Sequence, residues 1–275
     1  MQVWLNGKIL AESVARISPQ DHGFLYGDGV YETLRTVEGK VFDAAAHFIR
    51  MQNSAKLLKI PLPYSQTEIF AATEQVLTVN NFSAPKIARL RWTLTRGENH
   101  FDFSDSTAPT FLITAVPLEP YPEEYLQHGV SVTTLETVRA LPQAKTIALL
   151  PMILGKQRCE ETKSFECLFL ENGYITEGTV SNFCIQIEKA LWIPPQGKVL
   201  HGTAAEHFFK KVKQLGYTLQ EKLFSSAEVV ERAEAAFLTN SLFGILPVTK
   251  IEQQKIAHGK VPEFFHELHH NFWNN

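Results

Sequence analysis

The sequence predicts a protein of mixed helices and strands, of the α/β or α+β class, that divides into two domains. Its 275 residues are 44% hydrophobic and 20% charged, an ordinary globular composition with enough chain to bury a core. Helical and strand-like patterns follow one another without the regular alternation of a parallel α/β sheet. Three prolines between Val116 and Pro122 exclude a helix or a central strand. We therefore place the domain junction there and expect domains over 1–118 and 119–275.

The first domain begins with a hairpin pattern. Asn6 and Gly7 separate two short apolar runs, and both residue types tolerate the positive φ angles of a two-residue turn. Farther along, apolar residues recur at helical spacing from Asp43, an N-cap residue type, until Pro61 stops the pattern. The expected elements are strands over 3–5 and 8–10, helices over 43–59 and 66–80, and strands over 86–95 and 111–116.

The second domain carries another hairpin signal and two helix boundaries. Asn172 and Gly173 form the turn signal, Gly216 is placed to end a helix, and Ser225 with Glu228 makes a capping-box pattern. The expected elements are a strand over 130–138, a helix over 149–162, strands over 166–170, 174–176 and 183–187, a helix over 203–215, a short helix from 225, a strand over 236–239 and a terminal helix over 262–273.

Charge, cysteine content and apolar runs exclude several classes of protein. The formal net charge of -3 gives no broad electrostatic surface for nucleic acid or an anionic membrane. Cys159, Cys167 and Cys184 form no CxxC pair, which favours a reducing compartment over a disulfide framework. The N-terminus lacks the basic and apolar regions of a signal peptide, and the apolar run over 148–154 is far too short to span a bilayer. We expect a cytoplasmic protein.

Two short motifs suggest chemistry that the surrounding sequence does not support. His266 to His270 match the HExxH zinc pattern, but only five residues follow, which leaves no room for a downstream third ligand. We expect a His-rich terminal helix and no metal site. Gly27-Asp28-Gly29 lacks the third glycine of a dinucleotide loop, so we expect a tight turn that needs a positive φ angle.

Four local patterns could carry function, and each has a plainer structural explanation. His47 and Arg50 share a helix face, either as a surface pair or as a guanidinium aimed at an anion. The helix start within 199–206 is either an ordinary start or a phosphate cradle. Lys145 precedes an apolar run and either snorkels outward or acts as a Schiff-base amine. Glu177 is either a turn residue or the partner of a cationic ring nitrogen.

Taken in order, these patterns and their flanking residues resemble the class IV aminotransferase family of pyridoxal-phosphate enzymes. The resemblance covers nearly the whole chain, and its GDGVYE and YxTEGxxSN segments are the most specific. The family includes D-amino-acid and branched-chain aminotransferases and 4-amino-4-deoxychorismate lyase. The segments that carry the resemblance are 21–35, 47–50, Lys145, 174–182, 200–202 and 246–248.

The resemblance implies a role for each candidate residue toward pyridoxal 5′-phosphate. Lys145 would bind the cofactor aldehyde as a Schiff base and then move the substrate proton. Glu177 would pair with the pyridine nitrogen, which keeps the ring able to accept electrons. Arg50 would clamp the phosphate. The remaining implied contacts are Leu200 on the ring face, Thr203, Ala204 and Ser241 at the phosphate, and Tyr31, Arg96 and Asn240 at the substrate.

The resemblance also implies a fold and an assembly. The family fold has a small α/β domain, here 1–118, and a larger domain with a β-barrel-like sheet, here 119–275 with the Schiff-base lysine. Related enzymes are homodimers, so we expect a homodimer. A cofactor carrier without catalysis is disfavoured, because both Lys145 and Glu177 are retained.

Departures from the family pattern bear on the substrate. Relatives have Gly-Ile-Thr-Arg where this chain has Gly202-Thr-Ala-Ala205, and the arginine with which D-amino-acid enzymes trap a carboxylate is absent from 98–103. The glycine-rich run of many lyases is also missing there, but Asn240-Ser-Leu242 resembles the lyases. We expect a folate-pathway lyase that converts 4-amino-4-deoxychorismate to 4-aminobenzoate and pyruvate. The alternative is an aminotransferase acting on D-amino or branched-chain amino acids with an α-keto acid acceptor.

Overall fold

The computed structural model describes residues 1–82, 84–98 and 108–273. The chain separates into two compact units, one formed by 1–119 with 144–149 and the other by 120–143 with 150–275. The sequence-based boundary assigned all of 119–275 to one domain, whereas the short segment that contains Lys145 groups with the first unit. Its backbone explains this, because Ile147 N donates to Gly29 O at 3.0 Å and residue 146 bridges Val30.

The first unit is an antiparallel sheet with two long helices packed on one face. The strands run in the order β2-β1-β6-β5-β3-β4. Alternation along β3 and β5 sends Val30, Leu34, Leu90 and Trp92 into the core with the helices. The elements are β1 (Gln2–Leu5), β2 (Lys8–Ala11), α1 (His22–Tyr26), β3 (Gly29–Val37), β4 (Lys40–Val41), α2 (Ala44–Leu57), α3 (Gln66–Val79), β5 (Ala88–Thr95) and β6 (Thr110–Pro117).

The second unit is built on a strongly curled sheet in the order β12-β11-β10-β13-β14-β7-β8-β9, with β15 on β14. Strand β9 ends that order, yet the turn after it leads at once into β10, and Gly178 N donates to Ser181 O at 2.8 Å. The elements are α4 (Glu123–His128), β7 (Val130–Glu136), α5 (Leu150–Thr162), β8 (Glu166–Glu171), β9 (Tyr174–Gly178), β10 (Asn182–Ile187), β11 (Ala190–Ile193), α6 (Thr203–Gln214), β12 (Thr218–Glu221), α7 (Ser226–Arg232), β13 (Ala235–Asn240), β14 (Gly244–Ile251), β15 (Gln254–Lys255) and α8 (Phe264–His270).

Central strands of the second unit are buried on both faces. In β10, Phe183 and Ile185 face one apolar cluster and Cys184 faces the other, which lies under α6 and α8. The predicted barrel-like sheet is confirmed. Within the described ranges, no helix has both the length and the apolar character needed to cross a membrane.

Most expected elements are present, but the strands β3 and β14, of nine and eight residues, were not among them. Both Asn-Gly hairpins form, and Ser225 with Glu228 makes the predicted capping box. Asp43 precedes α2 as predicted, but its φ of 50° is left-handed and its side chain does not cap the helix. The sequence patterns gave no signal for α1 or α4, which have five and six residues.

Candidate active site

Lys145 is held by its backbone against strand β3. Its carbonyl oxygen accepts from Tyr31 N at 2.9 Å, and its own N–H donates to Ser54 Oγ at 3.2 Å. The Nζ atom lies 4.7 Å from the centroid of the Tyr31 ring, and the Arg91 guanidinium lies 3.9 Å from the same centroid. The structure thus brings together two predicted site residues, Lys145 and Tyr31.

Arg50 meets a carboxylate of the chain itself. Its Nε donates to Glu32 Oε1 at 2.8 Å and an Nη donates to Oε2 at 2.5 Å, while His47 Nδ1 lies 2.6 Å from Oε2. The interpretation of His47 and Arg50 as a surface pair is wrong, because both side chains are largely buried. Their shared helix face is confirmed, and Glu32 fixes the orientation of the guanidinium.

Electrostatics explain why this buried trio is stable. Burial favours a raised pKa for Glu32, but the charge and hydrogen bonds of Arg50, together with the hydrogen bond of His47, outweigh it and lower the pKa to about 2. Burial lowers the pKa of His47, an effect that its hydrogen bond to Glu32 opposes. One carboxylate therefore compensates one guanidinium beside a neutral imidazole.

Arg96 is bound by acceptors of its own unit. Its Nε and Nη2 donate to Asp28 at 2.5 and 3.2 Å. Nη2 also donates to the carbonyl oxygen of Leu58 at 2.9 Å, and Nη1 donates to that of Lys59 at 3.2 Å. These bonds join the end of β5 to the end of α2. They favour a structural role, and the substrate contact expected of Arg96 stays a prediction. Residues 99–103, which we compared with the D-amino-acid enzymes, lie outside the described residues.

Glu177 is a buried carboxylate with two donors from its own unit. Arg139 Nε donates to Oε1 at 2.9 Å, and Leu200 N donates to Oε2 at 3.4 Å. Asn182 Nδ2 in turn donates to Leu200 O at 2.7 Å, so the 199–202 segment is fixed from both sides. Two predicted site residues, Glu177 and Leu200, are therefore adjacent.

The turn between β9 and β10 is organised by a second carboxylate. Glu166 is fully buried and accepts from the hydroxyl groups of Thr179 and Ser181 and from Lys156 Nζ at 3.1 Å. It also accepts from Val180 N at 3.3 Å. This carboxylate fixes the backbone that follows Glu177.

The start of helix α6 fits a phosphate group. Its N-cap, Gly202, supplies no side-chain cap, and a Cβ atom on this residue would lie 1.9 Å from Asn182 Oδ1. Thr203 Oγ1 and Ser241 Oγ lie 3.3 Å apart at this end of the helix. Hydroxyl groups and first-turn N–H groups at a helix N-terminus are a donor set that suits phosphate. Three predicted phosphate contacts, Thr203, Ala204 and Ser241, are thus grouped by α6 and the end of β13.

Asn240 uses its amide to shape the turn after β13. Its Nδ2 donates to Val180 O, and its Oδ1 accepts from Leu242 N at 2.7 Å. These bonds fix the neighbouring Ser241, while the substrate contact expected of Asn240 remains a prediction.

The glycine-rich and histidine-rich motifs, for which we expected only structural roles, lie in a turn and on a helix. Gly27 ends α1 with a φ of 68°, which confirms the expected tight turn. His266 and His270 are exposed on α8. Over the described part of the chain, no group of three or more His, Cys, Asp or Glu side chains is placed to hold a metal ion.

Sequence reasoning missed Glu32, Arg139 and Glu166. Glu32 had a signal, because it occupies a core-facing position of β3 between Val30 and Leu34, where a carboxylate needs a partner. Arg139 and Glu166 had none, because their partners are distant in sequence.

Comparisons with known proteins show the family to which the chain belongs. The model of the family "Amino-transferase class IV" matches residues 29–251. A D-alanine aminotransferase from Bacillus licheniformis is 27% identical over 263 residues, which cover 94% of this chain and 91% of the relative. A putative branched-chain-amino-acid aminotransferase from Methanocaldococcus jannaschii is 30% identical over 282 residues, which cover 99% of this chain and 95% of the relative.

A solved structure shares the whole fold. The branched-chain amino acid aminotransferase from Escherichia coli superposes with a TM-score of 0.89 at 24% identity, over 98% of this chain and 93% of that chain. The resemblance and the two-domain fold predicted from the sequence are both confirmed. The chain belongs to the class IV aminotransferases, a family of pyridoxal-phosphate-dependent enzymes.

Proposed function

We propose that this chain is an aminotransferase that transfers the amino group of a small amino acid to an α-keto acid. The observation that carries the proposal is the match, over nearly the full length of both chains, to relatives named as D-alanine and branched-chain-amino-acid aminotransferases. Those names give no support to the lyase expected from Asn240-Ser-Leu242 and favour the alternative. Bound pyridoxal phosphate supplies an aldehyde for the amine and a ring that accepts electrons.

Lys145 is the proposed catalytic base. Its amine would hold the cofactor aldehyde until the substrate amine takes its place, and would then move the proton from the substrate Cα to the carbon that carried the aldehyde. The bonds to Tyr31 N and Ser54 Oγ fix the backbone from which this amine reaches. Tyr31, whose ring lies beneath the amine, is the proposed substrate contact from β3.

The other predicted residues hold the cofactor in this proposal. Glu177 keeps a proton on the ring nitrogen, and Leu200 packs on the ring face. Arg50, oriented by Glu32, is the proposed phosphate contact in the first unit, and Thr203, Ala204 and Ser241 are the proposed phosphate contacts in the second. The charged or hydroxyl side chains of Arg50, Glu177, Thr203 and Ser241, each held by a hydrogen bond, support their assignments.

A paired assay tests the reaction type. Purified, cofactor-saturated protein is supplied with D-alanine, L-leucine or another member of a D- and L-amino-acid panel, and 2-oxoglutarate is the acceptor. We expect glutamate to form in strict dependence on 2-oxoglutarate, and Lys145→Ala to form none. In parallel, the protein is given aminodeoxychorismate without an acceptor. Pyruvate release there, with no glutamate from any amino acid, would contradict the proposal and restore the lyase.

The same panel addresses stereochemistry, and a separate measurement addresses assembly. The two relatives above differ in their named substrates, so the D and L arms are measured with equal amounts of enzyme. We also propose the homodimer implied by the family, and light scattering of the purified protein tests it. A monomer that is fully active would contradict that part of the proposal.

A further inference from the structure

The carboxylate of Glu177 has a cationic partner to which no role in the reaction has been given. Arg139 Nε donates to Glu177 Oε1 at 2.9 Å, and the two side chains are only 7% and 4% exposed. Arg139 lies just after β7, outside every segment that carried the family resemblance. It approaches one oxygen of Glu177, while Leu200 N donates to the other oxygen.

A buried guanidinium that binds a carboxylate also affects the hydrogen bond between that carboxylate and a ring nitrogen. It changes which of the two groups carries the proton. A hydrogen bond between a carboxylate and a ring nitrogen has two forms in a dry site: a charged carboxylate beside a protonated ring, or a neutral acid beside a neutral ring. Low polarity around the pair favours the neutral form. A permanent cation on the far oxygen stabilises the charged carboxylate, and arginine is that cation because it stays protonated at any working pH.

Geometry makes the effect selective for the carboxylate. The guanidinium is in direct hydrogen-bond contact with Oε1. Because Coulomb energy falls with distance, its attraction for the carboxylate would exceed its repulsion of a proton on a ring that bound the same carboxylate. A carboxylate also accepts several hydrogen bonds at once, so Arg139, Leu200 N and a ring N–H can share it.

We propose that Arg139 is a positioning residue that holds Glu177 in its charged form and so keeps the proton on the ring nitrogen of the bound cofactor. The inference rests on the proposed role of Glu177. Two properties of Arg139 are separable: its positive charge and its ability to donate a hydrogen bond. The proposal assigns the effect to the charge.

The test reads the protonation of the cofactor itself. The protein is loaded with pyridoxal phosphate labelled with nitrogen-15 in the ring, and the nitrogen chemical shift is measured by NMR, since protonated and neutral pyridine nitrogens differ widely in shift. Arg139→Gln keeps a hydrogen-bond donor without the charge, and Arg139→Lys keeps the charge. Glu177→Gln supplies the reference for a neutral ring. Arg158→Gln, which removes an exposed arginine paired with Glu161, is the matched control.

We expect the shift of Arg139→Gln to move toward that of Glu177→Gln, and the shifts of Arg139→Lys and Arg158→Gln to stay near that of the unaltered protein. With cofactor saturated, kcat of Arg139→Gln should fall by about tenfold or more, equivalent to about 1.4 kcal/mol or more of barrier, and KM should change less. Arg139→Lys should recover most of the rate.

Two results would overturn the inference. One is an unchanged nitrogen shift in Arg139→Gln. The other is a nitrogen shift of a neutral ring in Arg139→Lys. This second result would overturn the inference even if Arg139→Gln did not fold. Failure of the proposed function looks different, because Glu177→Gln would then keep a protonated ring or the unaltered protein would bind no cofactor.

Discussion

The backbone N–H of Tyr31 donates a hydrogen bond of 2.9 Å to the carbonyl oxygen of Lys145, and the lysine Nζ lies 4.7 Å from the ring of the same tyrosine. Strand β3 therefore fixes both ends of Lys145, its backbone directly and its amine by contact with an aromatic face. A reactive amine gains from such fixation, because proton transfer depends on the position of the group that carries it out.

The first prediction concerns which lysine binds the cofactor. Borohydride reduction of the cofactor-loaded protein should attach the label to the peptide that contains Lys145, and Lys145→Ala should show neither the label nor the visible absorbance of a lysine-bound cofactor. Lys156 is the informative comparison, because its amine already lies 3.1 Å from Glu166 Oε1. Label recovered at Lys156 would refute the assignment.

The second prediction separates binding from turnover at Glu177. Glu177→Gln removes the negative charge but keeps the shape, so the cofactor should stay bound while proton removal slows. We expect kcat to fall by about 10²-fold, since an electron sink worth ~3 kcal/mol of transition-state stabilisation is lost. Steady-state kinetics at saturating cofactor measure this. Turnover near the original rate would leave Glu177 as a turn residue only.

The third prediction concerns Arg50 and uses two ligands. Arg50→Ala should weaken pyridoxal phosphate binding by roughly 10- to 100-fold, the effect of losing charge-assisted hydrogen bonds worth ~1.5–3 kcal/mol. Pyridoxal, which lacks the phosphate, should bind Arg50→Ala and the unaltered protein with similar Kd. Arg50→Lys keeps the charge but lacks the planar guanidinium, so its affinity for pyridoxal phosphate should lie between those of Arg50→Ala and the unaltered protein. Equal weakening of both ligands would mean that Arg50 supports the fold through Glu32 rather than binding phosphate.

Local patterns predicted the helix caps and hairpin turns well, because neighbouring residues determine them. Asn172-Gly173 forms its hairpin, and Ser225 with Glu228 caps α7. The partners of buried charges could not be predicted in this way. Arg139 meets Glu177 across 38 residues, and Arg50 meets Glu32 across 18. Such pairs depend on strand register and packing, which hydrophobic periodicity does not determine.

The segment that contains Lys145 shows a second limit of the sequence. The prolines of 116–122 predicted a single junction, whereas residues 144–149 group with the first unit and form hydrogen bonds to β3. One boundary in the sequence cannot describe a chain in which a later segment, 144–149, belongs to the first unit.

The fourth prediction concerns stability in acid. The pKa of Glu32 is lowered to about 2 in the folded protein from an ordinary value of 4.5, so its contribution to stability is complete above pH 4.5 and is lost as the pH falls toward 2. The full loss is about 3 kcal/mol. Burial also lowers the pKa of His47, so protonation of the unfolded chain below pH 6.5 acts in the same direction.

Urea unfolding of the protein at pH 7, 5 and 3 tests this, with Glu32→Gln as the variant. The variant should be less stable at pH 7, because Arg50 loses its buried partner, and it should lose less stability between pH 5 and pH 3. Glu161→Gln changes an exposed carboxylate and serves as the control. Parallel pH profiles for all three proteins would show that Glu32 does not govern the acid response.

The fifth prediction tests the close approach at the start of α6. A Cβ atom at residue 202 would lie 1.9 Å from Asn182 Oδ1 and 3.3 Å from Ala205 Cβ, so Gly202→Ala must displace Asn182 or the first turn of the helix. Asn182 Nδ2 holds Leu200 O, and Leu200 N donates to Glu177, so the displacement should reach both the phosphate contacts and the ring-nitrogen partner. We expect weaker cofactor binding together with slower turnover.

Gly197→Ala, where an added Cβ meets nothing within 4 Å, is the matched control and should change neither quantity. If Gly202→Ala bound pyridoxal phosphate with unchanged Kd in a titration of cofactor absorbance, the start of α6 would not be a phosphate cradle. In that case Gly202 would serve only the packing of Asn182.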